Sequence, residues 1–171
     1  MNVQYSHTNI PSKPQKRLVL IITTVLIALG IALRVAQYLH NRALWLDEAA
    51  LAVNIVDRNF AELLQPMIYH QNSPYGFLFT VKTITLVFGT SELALRAFPI
   101  IMAILSVPLF CLFAKKFSAT RELPHWPTVL IALTFFAVGK HLIFYSNELR
   151  HYSTDIAVVC VLYLVAHPLL S

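Results

Sequence analysis

Charged residues are scarce in this chain of 171 residues, and their scarcity argues against a water-soluble globular domain. Asp, Glu, Lys and Arg together make up 12% of the sequence, whereas 57% of the residues are apolar and cluster in long runs. Soluble domains carry about 25% charged residues. The composition therefore predicts a protein embedded in a membrane.

Cysteine is also scarce. Cys111 and Cys160 each lie inside an apolar run, where a thiol behaves as a small hydrophobic group. Neither a disulfide framework nor a cysteine-ligated metal is implied, and the histidines lack the spacing of a structural zinc site. The sequence also contains no internal repeat and no N-glycosylation sequon.

Four apolar runs have the composition of membrane spans. The first, residues 18–39, is interrupted by a single charge, Arg34, and reaches the roughly 20 residues that cross a bilayer. Because it is longer than the apolar region of a signal peptide, we expect an uncleaved anchor. Residues 97–114, 126–145 and 154–171 are the other predicted spans. The expected fold class is an all-α polytopic membrane protein with about four transmembrane helices.

Basic residues and the short run at residues 76–88 decide the expected sidedness. Five basic residues flank the apolar runs: Lys13, Lys16, Arg17, Lys115 and Lys116. If residues 76–88 lie in the outer interface, both basic groups face the cytoplasm, as the positive-inside rule favours. Counting them as a span would separate the two groups. We therefore expect a cytoplasmic tail at residues 1–17 and an outer loop at residues 40–96, and we attribute the net charge of +5 to topology rather than to nucleic-acid binding.

The outer loop is expected to contain amphipathic membrane-surface helices. Apolar residues recur there at helical spacing, at Val53, Val56, Phe60 and Leu63, and Gln65-Pro66 should end this helix. Residues 76–88 should form an interfacial helix with a hydrated Lys82. Arg34 and Lys82 are expected to extend toward the headgroups, and Lys140 and Arg150 have the same structural interpretation.

Two polar clusters could carry chemistry. The first is WLDE at residues 45–48, and the second is YSNELRHY at residues 145–152. If residues 147–155 are helical, one helix face presents Glu148, His151, Tyr152 and Asp155. A structural interpretation also exists, in which Asp47 caps the surface helix, Glu48 occupies its first turn, and Glu148 belongs to a loop network.

Taken together and in order, the motifs resemble those of the C-superfamily integral membrane glycosyltransferases, of the protein O-mannosyltransferase and aminoarabinose-transferase type. The resemblance rests on LWLDEA at residues 44–49, SPYGF at 73–77, FGTSELALRAFP at 88–99 and YSNELRHYS at 145–153. It covers most of residues 15–165. Three departures are evident: Asn147 stands where the family commonly has glutamine, His151 where proline is common, and the polar residues 71–73 where an acid often precedes the proline.

The resemblance implies transfer of a sugar from a polyprenyl-phosphate-linked donor to an acceptor at the outer membrane face. Asp47 would be the catalytic carboxylate that takes the acceptor proton, with Glu48 in a supporting or metal-orienting role. Substrate-binding residues would be Glu148, Arg150, His151 and Tyr152. Arg150, His151 or a divalent metal ion, for which Asp47 is a candidate ligand, would offset charge on the leaving phosphate.

The expected partners are the lipid-linked donor, an acceptor and membrane lipid, with no nucleic acid. The expected location is the plasma (inner) membrane if the source is bacterial, as a multi-pass protein. Alternatives from other classes are a transporter or scaffold and an inactive fragment. Because the last apolar run is short and the family is several spans longer, the sequence is expected to be a truncated N-terminal portion that is inactive alone.

Overall fold

The computed structural model describes residues 13–121 and 125–170, and within them every regular element is helical. The seven α-helices are α1 (Lys13–Leu39), α2 (Leu46–Asp57), α3 (Tyr75–Phe88), α4 (Glu92–Thr120), α5 (His125–Val138), α6 (Lys140–Tyr145) and α7 (Tyr152–Leu170). Two short 3-10 turns, Glu62–Leu64 and Ile68–His70, lie between α2 and α3. The tail predicted at residues 1–12 lies outside the described residues.

Among the described helices, α1 and α4 are the two that are long and apolar enough to cross a membrane. Their 27 and 29 residues extend about 40 and 43 Å, beyond the roughly 30 Å of a hydrocarbon core. Helix α1 is described from Lys13, so the first basic cluster, Lys13, Lys16 and Arg17, lies on the helix. Helix α7 begins at Tyr152 and has 19 residues, more than the short final run had suggested.

The span predicted at residues 126–145 is interrupted at Gly139, and Arg34 is the reason the interruption is tolerated. Arg34 is buried and donates to the carbonyls of Phe136 (3.0 Å) and Ala137 (3.4 Å) at the end of α5. It also donates to Gly30, whose missing side chain lets α1 approach Ala137 closely. The prediction that Arg34 reaches for the headgroups is wrong, because the free carbonyls of a helix end are closer partners.

Helix α2 is shorter than predicted and buries a different face. It ends at Asp57, well before Pro66, and its buried residues include Leu51, Asn54 and Ile55, whereas Val53 is exposed. The predicted apolar stripe assumed a helix resting on lipid. In the structure α2 packs against α3 and the following loop, so its orientation is set by protein contacts.

Helix α3 is the expected short apolar helix, but its lysine is not hydrated. The Lys82 side chain is 8% exposed, and its Nζ donates to the carbonyl of Val56 at 2.9 Å. It therefore satisfies the C-terminal end of α2, as Arg34 does for α5. The prediction of a hydrated Lys82 is wrong, because a free carbonyl at a helix end is a closer partner than water or a headgroup.

Two contacts fix the directions of the long helices. The Tyr38 hydroxyl at the end of α1 donates to the carbonyl of Leu93 at the start of α4, at 2.8 Å. Thr120 and His167, near the ends of α4 and α7, lie 2.7 Å apart. Helix α4 thus runs antiparallel to α1 and parallel to α7. The loops 40–91 and 146–151 consequently meet at one end of the helices, here called the polar end, and the two basic clusters lie at the other.

Candidate functional site

The polar end is centred on the carboxylate of Glu48, in the first turn of α2. Arg96 of α4 donates to both of its oxygens, at 3.1 and 2.8 Å, and both side chains are 0% exposed. Arg42 approaches the same carboxylate at 3.1 Å. The backbone N–H of Leu149 donates to it at 2.7 Å. Glu48 therefore joins α2, α4 and the loop before α7.

The start of α2 excludes one interpretation of Asp47. Trp45 is the N-cap residue, and its backbone N–H donates to Glu48 Oε2 at 3.4 Å. Glu48 thus reaches back to the helix start, as the third residue of a capping box does. Asp47, at the second helical position, is not the cap, so the capping interpretation of this residue is wrong.

Glu148 is a second buried carboxylate at the polar end. It is 1% exposed, lies 3.4 Å from Arg42, and leaves one oxygen without a hydrogen-bond partner among the described residues. Burial and the Glu48 carboxylate raise the pKa of Glu148, and Arg42 offsets part of that rise. Two negative charges so close together favour the protonated form of one of them.

The expected helix over residues 147–155 does not form. Helix α7 begins at Tyr152, and residues 146–149 are a buried turn in which Asn147 donates to the carbonyl of Gln37 at 3.1 Å. Glu148 therefore faces Glu48 rather than sharing a helix face with His151. Four consecutive buried residues cannot all point to one side of a surface helix, and tertiary contacts decide the backbone here.

Asp47 and Arg150 form the accessible part of the site. The Asp47 side chain is 50% exposed and its Oδ2 lies 3.4 Å from the Arg150 guanidinium. Arg150 also donates to Gln71 Oε1 at 2.8 Å and to the carbonyl of Asp47 at 3.3 Å. Beside this pair is an open cavity of about 440 Å³, which we call the Asp47 cavity. It is lined by Leu46, Asp47, Ala49, Ala50, Val53, Tyr69 and Gln71.

His151 and Tyr152 face other cavities. His151 Nδ1 lies 3.3 Å from Ser73 Oγ and its Nε2 lies 3.5 Å from Asp155, beside a cavity of about 470 Å³. This cavity and the Asp47 cavity are lined by consecutive residues, Asn72 in the first and Gln71, the partner of Arg150, in the second. Tyr152 lines a third cavity. Among the predicted site residues, Arg150 is the direct partner of Asp47.

Four residues with structural contacts were not predicted from the sequence. Arg42 and Arg96 bind Glu48, Gln71 binds Arg150, and the side-chain amide of Asn54 binds both the N–H and the carbonyl of Ile68. The position of Arg96 within LALRAFP, an otherwise apolar stretch, was a usable signal. A cation among apolar residues generally has a specific partner. Asn54 and Gln71 carried no distinguishing pattern, because a lone amide is common on any polar surface.

A complete metal site is not formed by the described residues. Asp47 belongs to no group of three or more His, Cys, Asp or Glu side chains placed to hold an ion. Comparison of the chain with protein-family models, with curated proteins and with solved structures gave no match.

Glu48→Gln should destabilise the protein strongly. The amide cannot neutralise Arg96, so a buried guanidinium would lose its charge partner, at a cost of about 3–5 kcal/mol. Denaturant unfolding in detergent micelles measures the change, and Asp57→Asn, on the exposed end of the same helix, is the control. A Glu48→Gln protein within about 1 kcal/mol of the wild type would contradict the central role of this carboxylate.

Glu148→Gln should alter stability in a pH-dependent way. Burial and the Glu48 carboxylate raise the pKa of Glu148 in the folded protein. The stability that the protonated carboxyl contributes is therefore fully present below the ordinary carboxyl pKa and is lost as the pH rises through the raised pKa. Because glutamine does not titrate, the variant does not lose this stability as the pH rises. Its Tm relative to the wild type should therefore increase between pH ~4 and ~8. A relative decrease over that range would mean that pairing with Arg42 outweighs burial.

Proposed function

We propose that this chain belongs to a membrane-embedded glycosyltransferase that uses a polyprenyl-phosphate-linked sugar donor. The observation that carries the proposal is the pairing of an accessible carboxylate, Asp47, with a largely buried guanidinium, Arg150, beside an open cavity. The order of the sequence motifs supports it as a resemblance. Both residues lie at the polar end, where a lipid-anchored donor would present its headgroup.

The chemistry requires two opposite charges next to each other. The acceptor hydroxyl attacks the anomeric carbon of the sugar, the bond from that carbon to the phosphate oxygen breaks, and polyprenyl phosphate leaves. Asp47 accepts the hydroxyl proton as the new glycosidic bond forms. Arg150 donates hydrogen bonds to the phosphate as its negative charge increases. No other reactant is needed to balance this step.

The buried residues have a different task in the proposal. Glu48 is fully enclosed and its oxygens are occupied by Arg96, Arg42 and the Leu149 N–H, so we assign it to positioning rather than to proton transfer. Its contact with the Leu149 N–H holds the residue next to Arg150. Glu148 belongs to the same layer. The catalytic pair thus lies next to a buried charged layer, which holds it in place and excludes water.

The proposed membrane arrangement has four spans: α1, α4, α5 with α6, and α7. Support comes from the two long apolar helices and from the shared direction of the helix ends. Helix α3 would lie near the outer interface, where its 14 residues need not cross the bilayer. This places the polar end outside and both basic clusters inside. The plasma membrane is the compartment that fits if the source is bacterial.

Cysteine labelling tests this arrangement. Single cysteines at the exposed positions Thr90 and Tyr152, in a background lacking Cys111 and Cys160, should both react with an impermeant maleimide added outside. A cysteine at Lys116 should react only after the membrane is permeabilised. Reaction at Thr90 without Tyr152 would separate the two loops and remove the shared site.

Asp47→Asn should separate binding from catalysis. In a complete protein that carries this N-terminal region, the amide is nearly the same size but cannot accept the proton, so transfer from a polyprenyl-phosphate-linked sugar should fall by about 10²–10⁴-fold. Binding of undecaprenyl phosphate, followed by the fluorescence of nearby Trp45, should be retained. Arg150→Gln should instead weaken that binding by at least about tenfold. Asp57→Asn is the control. Normal transfer by Asp47→Asn would refute the assignment.

A further inference from the structure

Two consecutive residues at the edge of the Asp47 cavity have an unfavourable backbone. Tyr69 has φ 59° and ψ 28°, and His70 has φ 52°, so both occupy the left-handed region. Positive φ is uncommon for residues other than glycine, and it persists only where surrounding contacts enforce it. Such strain tends to be retained where a side chain must be presented in one place.

The contacts that enforce this backbone lie on both sides of it. The buried Asn54 of α2 accepts from the N–H of Ile68 at 3.0 Å and donates to the carbonyl of Ile68 at 3.2 Å. On the other side, Gln71 is held by Arg150. Tyr69 and His70 are therefore held between α2 on one side and Arg150 on the other.

The strained backbone holds the aromatic ring of Tyr69 in an exposed position. Tyr69 is 66% exposed and lines the Asp47 cavity together with the carboxylate of Asp47 and the amide of Gln71. The other described lining residues are small or aliphatic, and none is a cation. An aromatic face beside a few hydrogen-bonding groups suits a sugar ring, which has C–H faces and a hydroxyl edge. A phosphate would be drawn to Arg150 instead.

We propose that the Asp47 cavity is the glycosyl subsite and that Tyr69 is the platform on which the sugar ring of the donor stacks. This inference rests on the proposed function, because it takes the sugar to be attached to a polyprenyl phosphate. Asp47 and Gln71 accept hydrogen bonds from the sugar hydroxyls, and the phosphate lies toward Arg150. Tyr69 is a positioning residue and takes no part in bond breaking.

The test compares bare undecaprenyl phosphate with the same lipid carrying glucose, mannose or aminoarabinose. At least one glycosylated lipid should bind the wild-type protein more tightly than the bare lipid. Tyr69→Gly should reduce that preference about fivefold, because the ring is lost. Glycine also relieves the strain at a positive φ, so Tm should rise by about 2–4 °C. Tyr75→Ala, an exposed tyrosine on the neighbouring cavity, should change neither quantity.

Each other outcome has a definite meaning. Equal binding of the bare lipid and all glycosylated lipids, or an unchanged preference in Tyr69→Gly, would overturn the subsite while leaving the proposed function in place. A lower Tm with weaker binding of both lipids would show a purely structural tyrosine and would also overturn it. Failure of the wild type to bind bare undecaprenyl phosphate would overturn the proposed function and this inference together.

Discussion

The ion pair between Glu48 and Arg96 is the contact on which the polar end depends. It is bidentate and fully enclosed, and the Glu48 carboxylate also receives Arg42 and the backbone N–H of Leu149. One side chain thus connects α2, α4 and the loop before α7. Desolvating these charges is costly, and the cost is recovered only because each oxygen has several donors. A network of this kind defines one relative placement of the segments.

The distribution of the arginines determines which carboxylate stays available for chemistry. Glu48 is neutralised inside by Arg96 and Arg42, so Arg150 is left to contact Asp47 and Gln71 at the surface. Arg42 is shared with Glu148, whose pKa is raised by burial and by the Glu48 carboxylate and is only partly lowered by Arg42. The site consequently has a buried layer that fixes geometry and an accessible pair that can meet a substrate.

Sequence patterns predicted the helices better than the roles of their charges. Apolar runs located α1, α4 and α7, and the positive-inside rule, with residues 76–88 placed in the interface, predicted that the two polar clusters would lie on one side. Composition could not show that Arg34 and Lys82 would bind helix carbonyls, because a cation near a span end fits headgroups equally well. The predicted buried face of α2 was wrong because protein, rather than lipid, covers the helix. Local strain at Tyr69 had no sequence signal at all.

Those two misjudged cations explain how a polar site can adjoin apolar helices. Breaking a helix in apolar surroundings exposes carbonyls that water cannot reach, which normally excludes such breaks from membranes. Arg34 satisfies carbonyls at the end of α5 and Lys82 satisfies a carbonyl at the end of α2, so both helices can end in buried surroundings without leaving these carbonyls unpaired. The interruption at Gly139 separates α5 from the short helix α6, and residues 146–151 follow α6 and bring the Leu149 N–H to Glu48. The buried cations therefore serve the site indirectly, because they stabilise the end of α2, the helix that carries Asp47, and the end of α5, which precedes the segment that carries Arg150.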